Sequence, residues 1–250
     1  MPEELPLKKE AKQLEEEIRG EFLRIVSHQF RTPLTGLKWA LELVLTEYAH
    51  EVSDTVKKLL TEARRKNDML MSLVDRLIVV GQVEEGELSF QWTLGDIGRL
   101  LVEVVGRHED QASQKNVTLH FQKNLAPLPI VRLDAEKISM VLDNLIYNAI
   151  KFTPPGGHIN VRVYRDGEGV TVAVRDTGVG VPRDQAPLIF SKFFWARNVA
   201  LHMHDGLGVG LYICRAIVEA HGGRIEADSE EGQGSEFRMF LPAVKPSDAL

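Results

Sequence analysis

Several clusters of residues have types and spacings suited to phosphate chemistry. Asn144 and Asn148 stand four apart within the helix-period run Asp143–Phe152, so they share one face, with Lys151 beside them. Two amides and a cation on one face can hold a metal ion and phosphate oxygens. Further on, Asp176-Thr177-Gly178-Val179-Gly180 closes a strand-like run. A carboxylate fixed at a strand end can accept a hydrogen bond from an exocyclic amine such as that of adenine, and Gly178 and Gly180 let backbone approach a flat ligand. Then come Ile189-Phe190-Ser191-Lys192-Phe193-Phe194 and a polar stretch with Arg197, Asn198, His202 and His204. Last, Gly206-Leu207-Gly208-Val209-Gly210-Leu211 opens a helix-period run that ends at Gly222-Gly223. Glycines ahead of a helix leave its first N–H groups and the positive dipole end open to an anion. The spacing is not that of a dinucleotide-binding fingerprint, and no strand leads directly into it.

Far upstream lies Ser27-His28-Gln29-Phe30-Arg31-Thr32-Pro33-Leu34. The packing stripe there is Val26, Phe30, Pro33 and Leu37, and at about 100° per residue His28 points away from it, into solvent. Thr32 shares the face of His28 one turn on. Pro33 removes a backbone donor and crowds the carbonyl of Gln29, so a bend or bulge is expected beside the histidine. A proline in a helix interior costs about 3 kcal/mol, which something must offset.

The elements that position these clusters fall into two sets. From about Leu7 to Tyr48 the chain reads as helix, with Leu7, Ala11, Leu14 and Ile18 in a coiled-coil rhythm. The step to Phe22 adds a stutter that relaxes the supercoil, and Gly20 weakens the helix there. The stripe continues through Leu37, Leu41, Val44 and Tyr48. After a turn around His50 to Ser53, Ser53 is placed to cap a second helix whose buried side includes Val56, Leu59, Leu60, Ala63, Leu70, Val74, Leu77 and Ile78. Such an antiparallel hairpin cannot bury both stripes alone, so a dimeric four-helix bundle is expected. The pattern breaks around Gly81 to Gly86, which puts the boundary between residues 1–84 and 85–250.

Beyond it, helices are expected at Leu94–Ser113 and Asp134–Phe152. Strands are expected at Val117–Gln122, Ile159–Arg165, Val170–Arg175, Arg224–Ala227 and Glu236–Leu241. Asp166-Gly167-Glu168-Gly169 is a hairpin signal. Consecutive hairpin strands imply a mixed or antiparallel sheet with helices on one face, an α/β sandwich of the α+β kind. The net charge of −6 and the absence of a long Lys/Arg run argue against nucleic acid or anionic lipid as the main partner. No apolar run approaches the roughly 20 residues that span a bilayer. A single cysteine, Cys214, rules out an intrachain disulfide and fits a reducing, cytoplasmic setting.

The upstream segment resembles the phosphoacceptor box of sensor histidine kinases at every position but one: the acid that usually follows the histidine is Gln29 here. The downstream set, taken in order, resembles the ATP-binding fold shared by histidine kinases, heat-shock chaperone ATPases, type II topoisomerases and mismatch-repair ATPases. The resemblance extends from about Glu21 to Val244. It implies His28 as phosphoryl acceptor, with Gln29 and Thr32 beside it in the catalytic box. It implies ATP and Mg²⁺ as cofactors, Asn148 coordinating the ion with Asn144 assisting, and Lys151 touching phosphate. Asp176 would read adenine, with Phe152 packed on its ring. Gly178, Gly180, Gly206, Gly208, Gly210 and Leu211 would line the nucleotide, and Phe194 to Gly206 would form a lid.

The family usually has an arginine where this chain has Trp195, which leaves Arg197 as the nearest substitute. The implied partners are a second copy, through the hairpin, and a response-regulator receiver domain on another chain; a membrane-anchored sensor would belong to a larger parent. The implied activity is autophosphorylation of His28 and transfer to a regulator aspartate, with a phosphatase role for Thr32. The competing readings are an ATP-binding pseudokinase or scaffold, motivated by Gln29 and Trp195, and an ATP-gated clamp, against which the His28 hairpin argues.

Overall fold

Two helices make up the described residues of the first part of the chain. The described part of α1 covers 29–46 and continues unbroken through Pro33, so the proline does not end the helix. A turn follows, and Ser53 caps α2 (Asp54–Glu84) by accepting the Val56 N–H at 3.4 Å. The pairing of the two helices is written in their polar contacts. Arg31 bonds Asp75, its Nε lying 3.1 Å from Oδ1. Lys38 faces Asp68 at 3.5 Å, and Arg64 faces Glu42 at 3.5 Å. Partners descend α2 as they ascend α1, which defines an antiparallel hairpin. Asn67 is buried between the helices and donates from Nδ2 to the Leu34 carbonyl at 3.1 Å.

The computed structural model describes Val26 and residues 29–122, 127–200 and 206–244. The coiled-coil stretch from Leu7 to Phe22, Gly20, Ser27, His28, His202, His204 and the tail from Lys245 lie outside the described residues. The chain divides into two compact units, Met1–Leu88 and Ser89–Leu250.

The second unit is a mixed sheet covered by helices. It contains β1 (Thr93–Gly95), α3 (Ile97–Gln114), β2 (Thr118–Gln122), β3 (Val131–Leu133), α4 (Ala135–Phe152), β4 (His158–Asp166) and β5 (Gly169–Asp176). A short 3₁₀ turn (Ala186–Leu188), α5 (Arg197–Ala200), α6 (Gly210–Ala220), β6 (Arg224–Glu230) and β7 (Gly234–Pro242) follow. The main sheet runs β2-β4-β5-β7-β6; β2 pairs parallel to β4 and the other pairs are antiparallel. The expected Asp166–Gly169 hairpin closes with those two residues paired and Gly167 at φ +57.

Register explains the layering. Val161, Val174, Phe237 and Ala227 align across one face, as do Val163, Val172, Met239 and Ile225. The opposite face carries Arg162, Ala173, Arg238 and Glu226, with Glu236 accepting from both Arg162 at 2.6 Å and Arg238 at 2.9 Å. The apolar face therefore takes the helices, whose Leu101, Ile138, Leu142, Leu145 and Ile217 are fully buried.

Two expectations need correction. Leu94 does not begin a helix. It lies in β1, paired antiparallel with β3, and α3 begins only after Asp96, whose carboxylate caps Gly98 and Arg99. β1 and β3 themselves are strands the sequence pattern did not mark.

Candidate functional site

The site is assembled from the end of α4, the loop after β5, the segment before α5 and the start of α6. Asp176 closes β5 and is buried, with Oδ1 accepting the Gly178 N–H at 2.8 Å and the Ser235 N–H at 3.3 Å. Burial pushes its carboxyl up to about 6, against the opposing pull of those two amide donors. The loop is fastened to α4, since the Val179 N–H donates to the Phe152 carbonyl at 3.2 Å. Gly180 is held from the other side by Asn198, whose Nδ2 donates to its carbonyl at 3.0 Å.

The two amides of α4 have different surroundings. Asn144 is buried and donates to Cys214 Sγ of α6 at 3.3 Å. Its Oδ1 faces Gly210 so closely that a Cβ there would stand 2.4 Å away, so only glycine lets α6 begin against it. Asn144 is thus a packing residue between α4 and α6 as well as a candidate ligand. Asn148, one turn on, is half-buried, and its side chain has no hydrogen-bond partner among the described residues. Lys151 Nζ lies over two rings, 5.4 Å from the centroid of Phe152 and 4.9 Å from that of Trp195.

At α6, Val209 occupies the cap position and makes no side-chain capping bond. The first turn of α6, in which Leu211 is half-buried, is therefore not capped by the Val209 side chain. Gly206 approaches the Trp195 ring, where a Cβ would lie 3.8 Å from Cζ2. Gly208 takes φ +68, and a Cβ on it would come within 2.8 Å of both Trp195 Nε1 and the Phe194 carbonyl. The segment that delivers the indole is strained. Phe193 adopts φ +58, a conformation costing a bulky residue of order 1–3 kcal/mol.

Asp176, Gly178, Gly180, Phe152, Lys151, Asn144, Asn148, Gly206, Gly208, Gly210 and Leu211 thus belong to one contiguous region. Arg197 does not join it through its side chain. Its guanidinium forms a two-pronged pair with Asp184, at 2.9 and 3.0 Å, and its N–H donates to Gln185. Ser235 is a contact that reading the motifs left out, while Asn198 and Trp195 were marked in the sequence without the contacts they make here. The Gly232-Gln233-Gly234-Ser235 run that leads into β7 was the signal available for Ser235. On the hairpin, Gln29 and Thr32 are exposed on α1. No group of three or more His, Cys, Asp or Glu among the described residues is placed to hold a metal ion.

A buried carboxylate at one place and a helix N-terminus without a capping side chain at another suit a nucleotide. Residues 133–245 match the family model described as "Histidine kinase-, DNA gyrase B-, and HSP90-like ATPase", and residues 18–86 match "His Kinase A (phospho-acceptor) domain". A solved catalytic domain of the histidine kinase ThkA is 30% identical, with 96% of that chain and 61% of this one covered and a TM-score of 0.52. The chain belongs to the histidine kinase family. It is similar to the sensor histidine kinase WalK of Bacillus subtilis (strain 168), 33% identical over 227 residues, 90% of this histidine kinase and 36% of WalK. It is also similar to full-length ShkA, solved in complex with AMPPNP, at 31% identity and a TM-score of 0.72, covering 90% of this chain and 47% of that one. The chain spans about a third of the length of the curated relatives it matches. No described helix is long and apolar enough to cross a membrane.

Proposed function

We propose that this histidine kinase binds Mg-ATP in the second unit, transfers the γ-phosphoryl group to His28, and passes it on to an aspartate of a separate receiver domain. The observation that carries the reading is the polarity of the site. The buried Asp176 carboxylate stands at one end, and the uncapped start of α6 with Lys151 at the other. The first suits the amine edge of adenine, the second suits phosphates. Membership of the family, with the phospho-acceptor match over residues 18–86, supports His28 as the acceptor.

The donor set fits magnesium carried in with the nucleotide. Asn148, with Asn144 Oδ1 assisting, would hold the ion through amide oxygens, and magnesium commonly takes one or two protein ligands plus phosphate oxygens. When bound, it neutralises phosphate charge. The chain's own residues do the rest. Asp176 and Phe152 orient the base, and the α6 N–H groups and Lys151 hold the phosphates. A ring nitrogen of neutral His28 then attacks the γ-phosphorus, and the N–P bond forms as the bond to the β–γ bridging oxygen breaks. Gln29 can hold the imidazole in one tautomer through its amide oxygen but cannot accept its proton at neutral pH. Arg197, paired with Asp184, would need to leave that partner to touch phosphate.

In this reading residues 1–84 form the dimerising acceptor hairpin and 85–250 the ATP-binding catalytic domain, both working in the cytoplasm. The exposed Phe30, Leu37, Leu59 and Leu70 support a second copy as the cover of the hairpin. Thr32, exposed on α1, would position a water on an incoming aspartyl phosphate; Thr32→Ala is expected to keep autophosphorylation and slow regulator dephosphorylation. The test of the overall reading is the chemical stability of label taken up from γ-labelled Mg-ATP. A phosphohistidine is lost in acid and kept in base. Label that survives acid, or no label at all, contradicts it.

A further inference from the structure

Trp195 stands where the family usually has an arginine, and what it does there is visible in its contacts. Its indole lies over the Lys151 ammonium, 4.9 Å from ring centre to Nζ, and Phe152 flanks the same ammonium at 5.4 Å. Its Nε1 edge sits on Gly208, where a Cβ would come within 2.8 Å. The strained backbone of Phe193, at φ +58, delivers it to that place. The two groups covered by the indole are the cation and the glycine turn at the start of α6. Both belong to the phosphate end of the site, whereas at the adenine end the Asp176 carboxylate is held by the Gly178 and Ser235 N–H groups.

We propose that Trp195 is a specificity-determining residue that competes with the nucleotide's phosphates for Lys151, lowering affinity for the triphosphate while leaving the base alone. The inference rests on the ATP-site reading above. The indole touches both the Lys151 ammonium and Gly208, so it occupies the side of the ammonium that faces the start of α6, and a phosphate held there must displace the ring. The displacement is downhill, because a charge-assisted bond to phosphate is stronger than a partly exposed cation–π contact. The contact therefore acts as a tax on affinity. A pair of that strength weakens a competing ligand by about three- to sixfold, since only the uncovered fraction of molecules binds at full strength. The tax falls on phosphate-bearing ligands and spares the nucleoside.

The test is calorimetry of the full chain with Mg-ATP and with adenosine, on the parent, Trp195→Ala and Trp195→Ala in a Lys151→Met background. Tighter ATP binding by about three- to sixfold in Trp195→Ala is expected, with adenosine affinity unchanged and the gain abolished in the Lys151→Met background. Tryptophan emission supplies a second measurement that needs no truncation. The chain has three tryptophans, and the difference between the parent and Trp195→Phe isolates this one. Its emission is expected to change on adding Mg-ATP or inorganic triphosphate and to stay constant with adenosine. Unchanged or weaker ATP binding in Trp195→Ala overturns the proposal, as does an equal gain for adenosine or an emission change with adenosine as large as with ATP. Failure of the parent to bind ATP at all would instead remove the nucleotide reading, and the competition with it.

Discussion

The helical hairpin and the ATP-binding unit differ in how completely a single chain can bury them. In the second unit the apolar face of the sheet is closed by α3, α4 and α6, and residues such as Leu101, Ile138 and Ile217 have no solvent exposure. In the hairpin, Leu41 and Val74 are buried, while Trp39 is 74% exposed and Leu59 67%. One unit is finished by its own chain; the other keeps an apolar surface that a monomer leaves in water. The contrast separates two jobs. A nucleotide site needs a rigid frame, whereas an acceptor helix must present one face to changing partners.

The largest effect should come from attacking the unfinished surface. Leu37→Asp combined with Leu70→Asp places charges on a face that is exposed in one chain and covered in a dimer, so dimerisation should be abolished with the second unit still folded. Sedimentation of parent and variant decides it; a parent that is monomeric with a fully helical hairpin removes the contrast. Next in size is Asp176→Asn. An amide oxygen can still accept from Gly178, so the frame should stand, but the charged acceptor for adenine is gone. Affinity should fall by about ten- to a hundredfold, the worth of one hydrogen bond to a charged group. Unchanged affinity by calorimetry rejects the adenine assignment.

A smaller effect tests the completeness of the second unit. His221 is buried at the end of α6; its Nδ1 donates to the Ile217 carbonyl at 2.7 Å and its Nε2 accepts the Asp134 N–H at 2.9 Å. Phe90 and Trp92 pack on the ring. The Asp134 bond requires the neutral imidazole, since Nε2 accepts only when unprotonated, and burial holds the pKa below the usual value against the opposing pull of the Ile217 carbonyl. His221→Phe leaves the Asp134 N–H buried and unpaired, so thermal unfolding should show a loss of about 1–3 kcal/mol without loss of the dimer. An unchanged midpoint would show that the ring's bonds contribute little.

The smallest effect concerns pH. His221, with its folded pKa depressed, stabilises above about 6.5 and loses that contribution as pH falls. Asp176 has the opposite sign. Its pKa is raised from 3.8 to about 6, so its contribution is present in acid and is lost as pH rises through about 6. The ionised form is the better acceptor for the adenine amine, so ATP affinity should rise from pH 5 to 7 and then level. A flat profile in the parent, matching that of Asp176→Asn, would contradict this.

Much of the frame was legible because periodicity reports burial. The long strands β4, β5 and β7 and the cap at Ser53 follow from alternation and N-cap chemistry, whereas Asp134, read as the first residue of a helix, is the cap of α4. β1 and β3 were not legible, since three-residue strands have no period and form only through their pairing. Leu94 misled for the same reason: an apolar residue ahead of Asp96 looks helical until the cap is seen. In the site, the spacing of Asn144 and Asn148 put them correctly on one helix but hid their different neighbours. The burial of Asn144 depends on Cys214 and Gly210, from a helix many residues away. Trp195 was legible as a departure, but its seat on Gly208 and Lys151 needed coordinates.

The claim that His28 accepts the phosphoryl group is tested most directly by the single-turnover rate of acid-labile label incorporation at saturating Mg-ATP. The parent should label slowly, because Gln29 orients the imidazole without taking its proton. Gln29→Glu should be faster, within the roughly 10²–10⁴-fold that general-base assistance supplies, and His28→Ala should take up nothing. A Gln29→Glu rate equal to the parent's would show that proton removal is not limiting. Label that persists in His28→Ala would contradict the assignment of the acceptor itself.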